Sequence, residues 1–258
     1  MPVRDQPEQQ APPVQRLRVR YAKRGRLRFT SHRDFSRAFE RAVARARVPV
    51  AYSSGFHRHP RISYAGAAPT GAASEAEYLE LGLSHESDPA DVRRSLDEAL
   101  PPGLDVLEVV VSGGGSLADR LEASLWRTRL PGLSPDEAEH AVAGFLAADE
   151  VLVVRMTKKG LRSFDCRAAV VRLGVVREGT DGSVGARTPA VSGACAILEV
   201  VLRHGTPTVR PDDVLAGLRR TAGLDASLAP THERLAQGPL DAEAGTVGDP
   251  LELNRDTA

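Results

Sequence analysis

From residue 16 to 22 the chain reads RLRVRYA, with Leu17, Val19 and Tyr21 alternating against Arg16, Arg18 and Arg20. A period of two puts these sets on opposite faces of a half-buried strand. After the Lys23-Arg24-Gly25 turn, Leu27 and Phe29 continue the alternation, and at Ser31 the period becomes helical. Ser31 can cap the first turn, and Asp34 three residues on completes a capping-box pattern. Phe35, Ala38, Phe39, Ala42, Val43 and Ala46 form one apolar stripe, with Arg33, Arg37, Arg41 and Arg45 on a neighbouring face. Pro49 is the expected stop.

Residues 50–74 read as loop, with Gly55, Gly66, Gly71 and prolines at 60 and 69, apart from a short strand at 61–65. EYLELGL (77–83) is a strand, 89–100 a helix capped by Asp88, and 104–111 a strand ending at Gly113-Gly114-Gly115. The order β-α-β-β-α-β is the ferredoxin-like plan of an α+β fold. It recurs as a strand at 123–130, a helix at 135–148 after Ser134, strands at 151–157 and 194–203, and a helix at 211–222. Residues 160–193 read as an insertion, in which RAAVVRLGVV (167–176) fits a strand or a short helix. The expected organisation is two tandem ferredoxin-like subdomains with disordered termini. These are an arm over 1–15, a first subdomain with a basic face over 16–112, a second over 118–230, and an acidic tail over 231–258.

The formal net charge of +0 hides an asymmetry, because 16–61 holds 14 Lys or Arg against two acids, Asp34 and Glu40. Such a block, with the remainder acidic, points to a polyanionic partner. Cys166 and Cys195 have neither metal-ligand nor disulfide spacing, so both are expected as reduced thiols. No apolar region follows Met1 and no run approaches the roughly 18 apolar residues of a membrane span. The expectation is a cytoplasmic protein with no membrane partner.

The candidate site residues come from two motifs. Ser31-His32-Arg33-Asp34 opens a helix, whose free N–H groups and positive dipole end favour an anion, and Arg37 and Arg41 extend that field. The loop Tyr52 to Arg61 mixes aromatic, cationic and hydroxyl groups around Gly55. Tyr52 or Phe56 can stack a base while Arg58, His59 and Arg61 hold phosphates, although Phe56 could equally plug the core. His32, His57, His59 and Glu77 are the possible metal ligands, but their spacing matches no metalloenzyme motif, and no metal or cofactor is expected in this chain.

Taken in order, the Lys-x-Gly turn, Ser-His-x-Asp, Tyr-Ser-x-Gly-Phe, His-Pro-Arg-Ile-Ser and the Ser-x-x-Glu of Ser74 and Glu77 resemble the radical-SAM-linked protein family of unknown function. The likeness covers most of 16–222 and is strongest up to Leu83. Arg33 departs from it, standing where relatives usually carry an aliphatic residue, and His57-Arg58 fills a pair that varies. Members occur alone or joined to a cobalamin-binding radical SAM enzyme, so the resemblance implies such an enzyme as a partner. The chain itself lacks the Cys-x-x-x-Cys-x-x-Cys that would hold a radical SAM cluster. The leading expectation is a non-catalytic module that binds RNA or another anionic substrate for that enzyme. The alternatives are a protein-interaction scaffold and a metal-independent endoribonuclease of the CRISPR-repeat-processing type. In the nuclease, His32 would be the general base and Arg37 or Arg61 would stabilise the phosphorane.

Overall fold

Leu17, Val19 and Tyr21 share one buried face of a strand, β1 (Gln15–Lys23). The helix announced by the change of period is α1 (His32–Arg45), and the Ser31 hydroxyl accepts from the Asp34 N–H at 3.2 Å. Its buried residues are Phe35, Phe39, Ala42 and Val43. The Phe35 ring stacks on Tyr21 at 4.4 Å between centroids. The helix ends before Pro49, where Arg47 turns the chain at a φ of 54°. Gly25 to Phe29, expected to continue the strand, forms a 3-10 turn that leaves Phe29 59% exposed.

These two elements belong to one of two compact units, Met1–Leu121 with Asp249–Ala258; the other is Glu122–Gly248. The computed structural model describes residues 9–157, 160–177, 194–224 and 228–255. In the first unit β1 pairs antiparallel with both β3 (Ala73–Leu83) and β4 (Leu104–Val111), and β2 (Ile62–Ala65) pairs antiparallel with β3. Within the unit the strand order is β4-β1-β3-β2. α2 (Pro89–Ala99), capped by the Asp88 carboxylate at the Ala90 N–H, adds Val92 and Leu96 to the core under α1.

The opposite face of β1 is solvated only in part, at Arg16 and Arg20. Arg18 is 0% exposed. Its Nε donates to Glu80 on β3 at 3.2 Å and its Nη1 to the Asn254 Oδ1 at 3.0 Å. Its Nη2 donates to the Gly114 and Gly115 carbonyls at 2.8 and 2.7 Å. Gly114 and Gly115 both adopt positive φ, and a Cβ on Gly113 would come within 2.9 Å of Asn254 Nδ2. The glycine run thus turns its carbonyls to the guanidinium and leaves room for the C-terminal segment. That segment is also held by Arg120, which donates to Pro250 O at 3.1 Å and Asn254 Oδ1 at 2.9 Å. Arg255 pairs with Glu108 on β4 at 2.6 Å, and Leu251 is fully buried beside Leu117 and Leu121.

The expected disordered termini are therefore corrected where they are described. Val14 N–H donates to Leu83 O at 2.8 Å, which extends the edge of β1, and 249–255 packs on the first unit. Residues 1–8 and 256–258 lie outside the described residues.

The second unit begins with β5 (Ala123–Pro131) and α3 (Pro135–Ala147), whose Ser134 and Glu137 close a capping box. Residues 151–165 do not supply the next sheet strand, contrary to expectation. β6 (Leu152–Thr157) and β7 (Gly160–Asp165) form a separate hairpin, pinned by Arg155 to Asp213 at 2.5 Å. Its alternation comes from a two-sided ribbon: Val153 is buried, whereas Val154, Met156 and Leu161 are exposed. The sheet strand is β8 (Val170–Val176), which pairs with β9 (Cys195–Arg203). The rest of the expected insertion, 178–193, lies outside the described residues.

After β9 comes α4 (Pro211–Ala222), and Gly217 brings it close: a Cβ there would stand 2.7 Å from Phe145 and 3.0 Å from Cys166 Sγ. β10 (Thr231–Gly238) completes the antiparallel order β10-β5-β9-β8, inside what was expected to be a disordered tail. Among the described residues, no helix is long and apolar enough to cross a membrane.

Two stability outcomes follow from this packing. Phe39 is fully buried, so Phe39→Ala should cost about 3–5 kcal/mol in the first unit's unfolding transition. A cost under about 1 kcal/mol would show that the site collapses without loss. Arg18→Met removes the shared donor from Glu80, Asn254 and two carbonyls, and should cost about 3–5 kcal/mol. Amide exchange across 249–255 should accelerate with it; unchanged exchange would show that the segment is held independently of Arg18.

Candidate functional site

The 14 basic residues of 16–61 divide sharply once their neighbours are known. Arg18 and Lys23 are buried, and the Lys23 Nζ lies 3.5 Å from the Ala68 and Pro69 carbonyls. Arg16 pairs with Glu80, Arg24 with Glu75 and Asp105, and Arg45 donates to the Ala99 carbonyl at 3.0 Å. Two residues of the Ser-x-x-Glu motif are also internal: Ser74 is buried, and the buried Glu77 carboxylate accepts from Ala68 N–H at 3.1 Å. Lys23 and Glu77 thus both hold the 68–69 turn in place, which is a structural task.

Arg26 is exposed on the 3-10 turn before α1 and Arg47 at the turn that ends it, and the other exposed members lie on α1 and on the loop after it. Arg33, Arg37, Arg41 and Arg58 are exposed and form no ion pair among the described residues. The loop is rigid at its base. Ala51 and Arg61 both bond to Gly82 on β3, through Ala51 N–H to Gly82 O at 2.7 Å and Gly82 N–H to Arg61 O at 2.9 Å. Ser53 N–H donates to His59 O at 2.8 Å, and His59 N–H to the Ser53 hydroxyl at 3.0 Å. Arg61 Nε donates to Tyr52 O at 3.2 Å. From that stem the tip projects, with Gly55 at a φ of 118°, Tyr52 45% exposed and Phe56 71% exposed. Phe56 therefore does not plug the core.

Three groups result where the sequence suggested two motifs. Ser31, His32 and Arg33 sit at the start of α1, and the His32 ring packs edge-on against Tyr64 of β2 at 5.0 Å. Burial pushes the Tyr64 phenol up to about 12, with the Glu40 charge adding to the effect, so the ring stays neutral. A second group lines a cleft of about 540 Å³ between α1 and the loop: Arg37, Glu40, Arg41, Tyr52 and Pro60 over Val43. A third lines a smaller cleft of about 230 Å³ beside β3, with Arg16, Ser53, His59, Arg61 and Glu80. Arg58 is exposed on the tip and lines neither cleft. His32 lines neither of these two clefts, and Arg37 and Arg61 line different ones.

Glu40, Arg16 and Glu80 are the charged lining residues that sequence reasoning missed. The available signal for Glu40 was that only Asp34, of the two acids in the block, has a capping role. The suggested metal set is not gathered either. Glu77 is buried and engaged at Ala68, and no group of three or more His, Cys, Asp or Glu able to hold a metal occurs among the described residues. Burial pushes the Cys166 thiol up to about 12, with Asp165 and Asp213 adding to it, which disfavours the thiolate.

The cleft along α1 can present two guanidinium groups, one aromatic face and one carboxylate to a ligand from outside. No curated protein matches the chain. A family model does, over residues 16–211, a span that holds α1, the loop and both clefts of the first unit. The chain belongs to the family described as an uncharacterized protein conserved in bacteria (DUF2344).

Proposed function

We propose that the protein is a non-catalytic module that binds single-stranded RNA on α1 and the 52–60 loop and presents it to a separate enzyme. The observation that carries this reading is the exposure of Tyr52 beside Arg37 and Arg41 of α1, which have no ion-pair partner among the described residues, with a second exposed ring, Phe56, on the same loop. Exposed aromatic rings are platforms on which bases stack without regard to sequence. Arginines beside them can take the phosphates. The resemblance to radical-SAM-linked proteins supports a radical SAM enzyme as the partner that would act on the bound substrate.

Each unit is, on this proposal, a ferredoxin-like fold. The supporting facts are the repeated antiparallel orders β4-β1-β3-β2 and β10-β5-β9-β8, each with two helices. Such sheets offer loops and helix faces for RNA while the core stays closed.

Binding of a fluorescent single-stranded RNA should weaken with salt. With about five phosphates contacted, log K should fall against log salt with a slope of roughly −3.5. Arg37→Glu with Arg41→Glu should weaken binding by about tenfold or more at fixed salt while thermal stability is retained, because both side chains lie off the buried stripe. A flat salt dependence would overturn the proposal. So would cleavage of the RNA to 2′,3′-cyclic phosphate ends by the wild type and not by His32→Ala, which would make the protein a nuclease.

A further inference from the structure

Glu40 is the residue that phosphate binding does not explain. It is exposed, it lines the α1 cleft, and Arg37 and Arg41 flank it on the same helix. Yet it forms no ion pair or hydrogen bond among the described residues, whereas Asp34, the other acid of the block, is bonded to Ser31 at 2.6 Å. A carboxylate in a cleft that served phosphates alone would repel the ligand. Its presence calls for a ligand that also brings N–H donors.

The remaining walls narrow the choice. Tyr52 offers a partly exposed ring from a backbone fixed by Arg61 and by a bridge to Pro60. Pro60 and Val43 supply apolar surface, and the cavity of about 540 Å³ falls within the about 300–1,000 Å³ of small-ligand sites. A flat ring with an attached phosphate fits an aromatic wall next to two guanidiniums. Among the four bases of RNA, guanine alone presents two adjacent donors, N1–H and the N2 amino group, that match both oxygens of one carboxylate. Adenine and cytosine place an acceptor nitrogen beside the amino group, and uracil flanks its single N–H with two carbonyls. Each would put a lone pair against a charge.

We propose that the cleft formed by Arg37, Glu40, Arg41, Tyr52 and Pro60 is a single-nucleotide pocket selective for guanine. The Glu40 carboxylate accepts from N1–H and the N2 amino group, Tyr52 stacks on the base, and Arg37 and Arg41 hold the adjoining phosphate. This rests on the reading of the first unit as an RNA-binding surface and adds base identity to it.

The test uses the full chain and four fluorescent RNA octamers, oligouridine with a central G, A, C or U, titrated by anisotropy at fixed salt. The guanine-containing octamer should bind about tenfold tighter than the other three, the discrimination expected of one bidentate carboxylate contact. Glu40→Gln should bring the four affinities to within about twofold of one another while all four still bind, because the amide offers a single acceptor oxygen. Tyr52→Ala should weaken all four by a similar factor through lost stacking. Equal binding of the four octamers by the wild type would overturn the guanine pocket and leave the RNA-binding reading intact. A guanine preference that survives Glu40→Gln would place the selectivity elsewhere and overturn it as well. Failure of all four to bind at low salt would overturn both.

Discussion

The first unit is organised by the enclosure of one positive charge. Arg18 sits at the middle of β1 with 0% exposure, and a guanidinium without water must find acceptors for its five N–H groups within the protein. It finds them on Glu80, Asn254, Gly114 and Gly115. These four acceptors lie on three separate stretches of chain, so satisfying one side chain fixes β3, the glycine run and the C-terminal segment relative to β1. Replaced by a well-packed apolar residue with matched surroundings, such a cluster need not lose stability. What it does is select one arrangement of these stretches, since any other leaves buried charge or buried carbonyls without partners.

The same reasoning changes how the basic block is understood. Counted along the sequence, its arginines look like one electrostatic surface. In the fold, part of that charge is spent internally: Arg18 in its cage, Lys23 against the 68–69 turn, Arg24 between Glu75 and Asp105. The positive field available to a ligand is therefore smaller than the count and more localised. Two of the exposed arginines without an ion pair among the described residues, Arg37 and Arg41, line one cleft with the partly exposed ring of Tyr52. That concentration makes the cleft a place where shape and hydrogen bonding, and not charge alone, can discriminate between ligands.

Local signals carried much of this. The Ser31 cap and the Phe35, Phe39, Ala42, Val43 stripe are written at helical spacing, and both are found in α1. The Asp88 and Ser134 caps mark α2 and α3 equally well. The failures have a common cause, which is that the deciding contacts are distant in sequence. Arg18 reads as solvated because nothing near it reveals an acceptor 236 residues away. THERLAQG, which forms β10, contains only Leu235 and Ala236 as apolar residues, and its strand state comes from its ladder with β5. Leu152 to Met156 has the β-branched, apolar composition of a sheet strand, yet it pairs only with its own hairpin partner. Phe56 is apolar, but the Ser53 and His59 bonds turn the loop tip away from the core. Of the candidate site, Arg37, Arg41 and Tyr52 meet in one cleft, whereas grouping His59 and Arg61 with Arg16 required the pairing of β1 with β3.

The placement of Asn254 also sets an order on synthesis. The second unit is a continuous stretch that ends at Gly248, while the first is made of two pieces separated by it. When Leu121 has been made, Arg18 already has Glu80 and the glycine carbonyls within its own stretch of chain, but its bond to Asn254 does not yet exist. At about 5–20 residues per second, the wait is on the order of ten seconds. The second unit has its full sequence first. The part of the chain made before the second unit is thus completed after it, by the segment that follows Gly248.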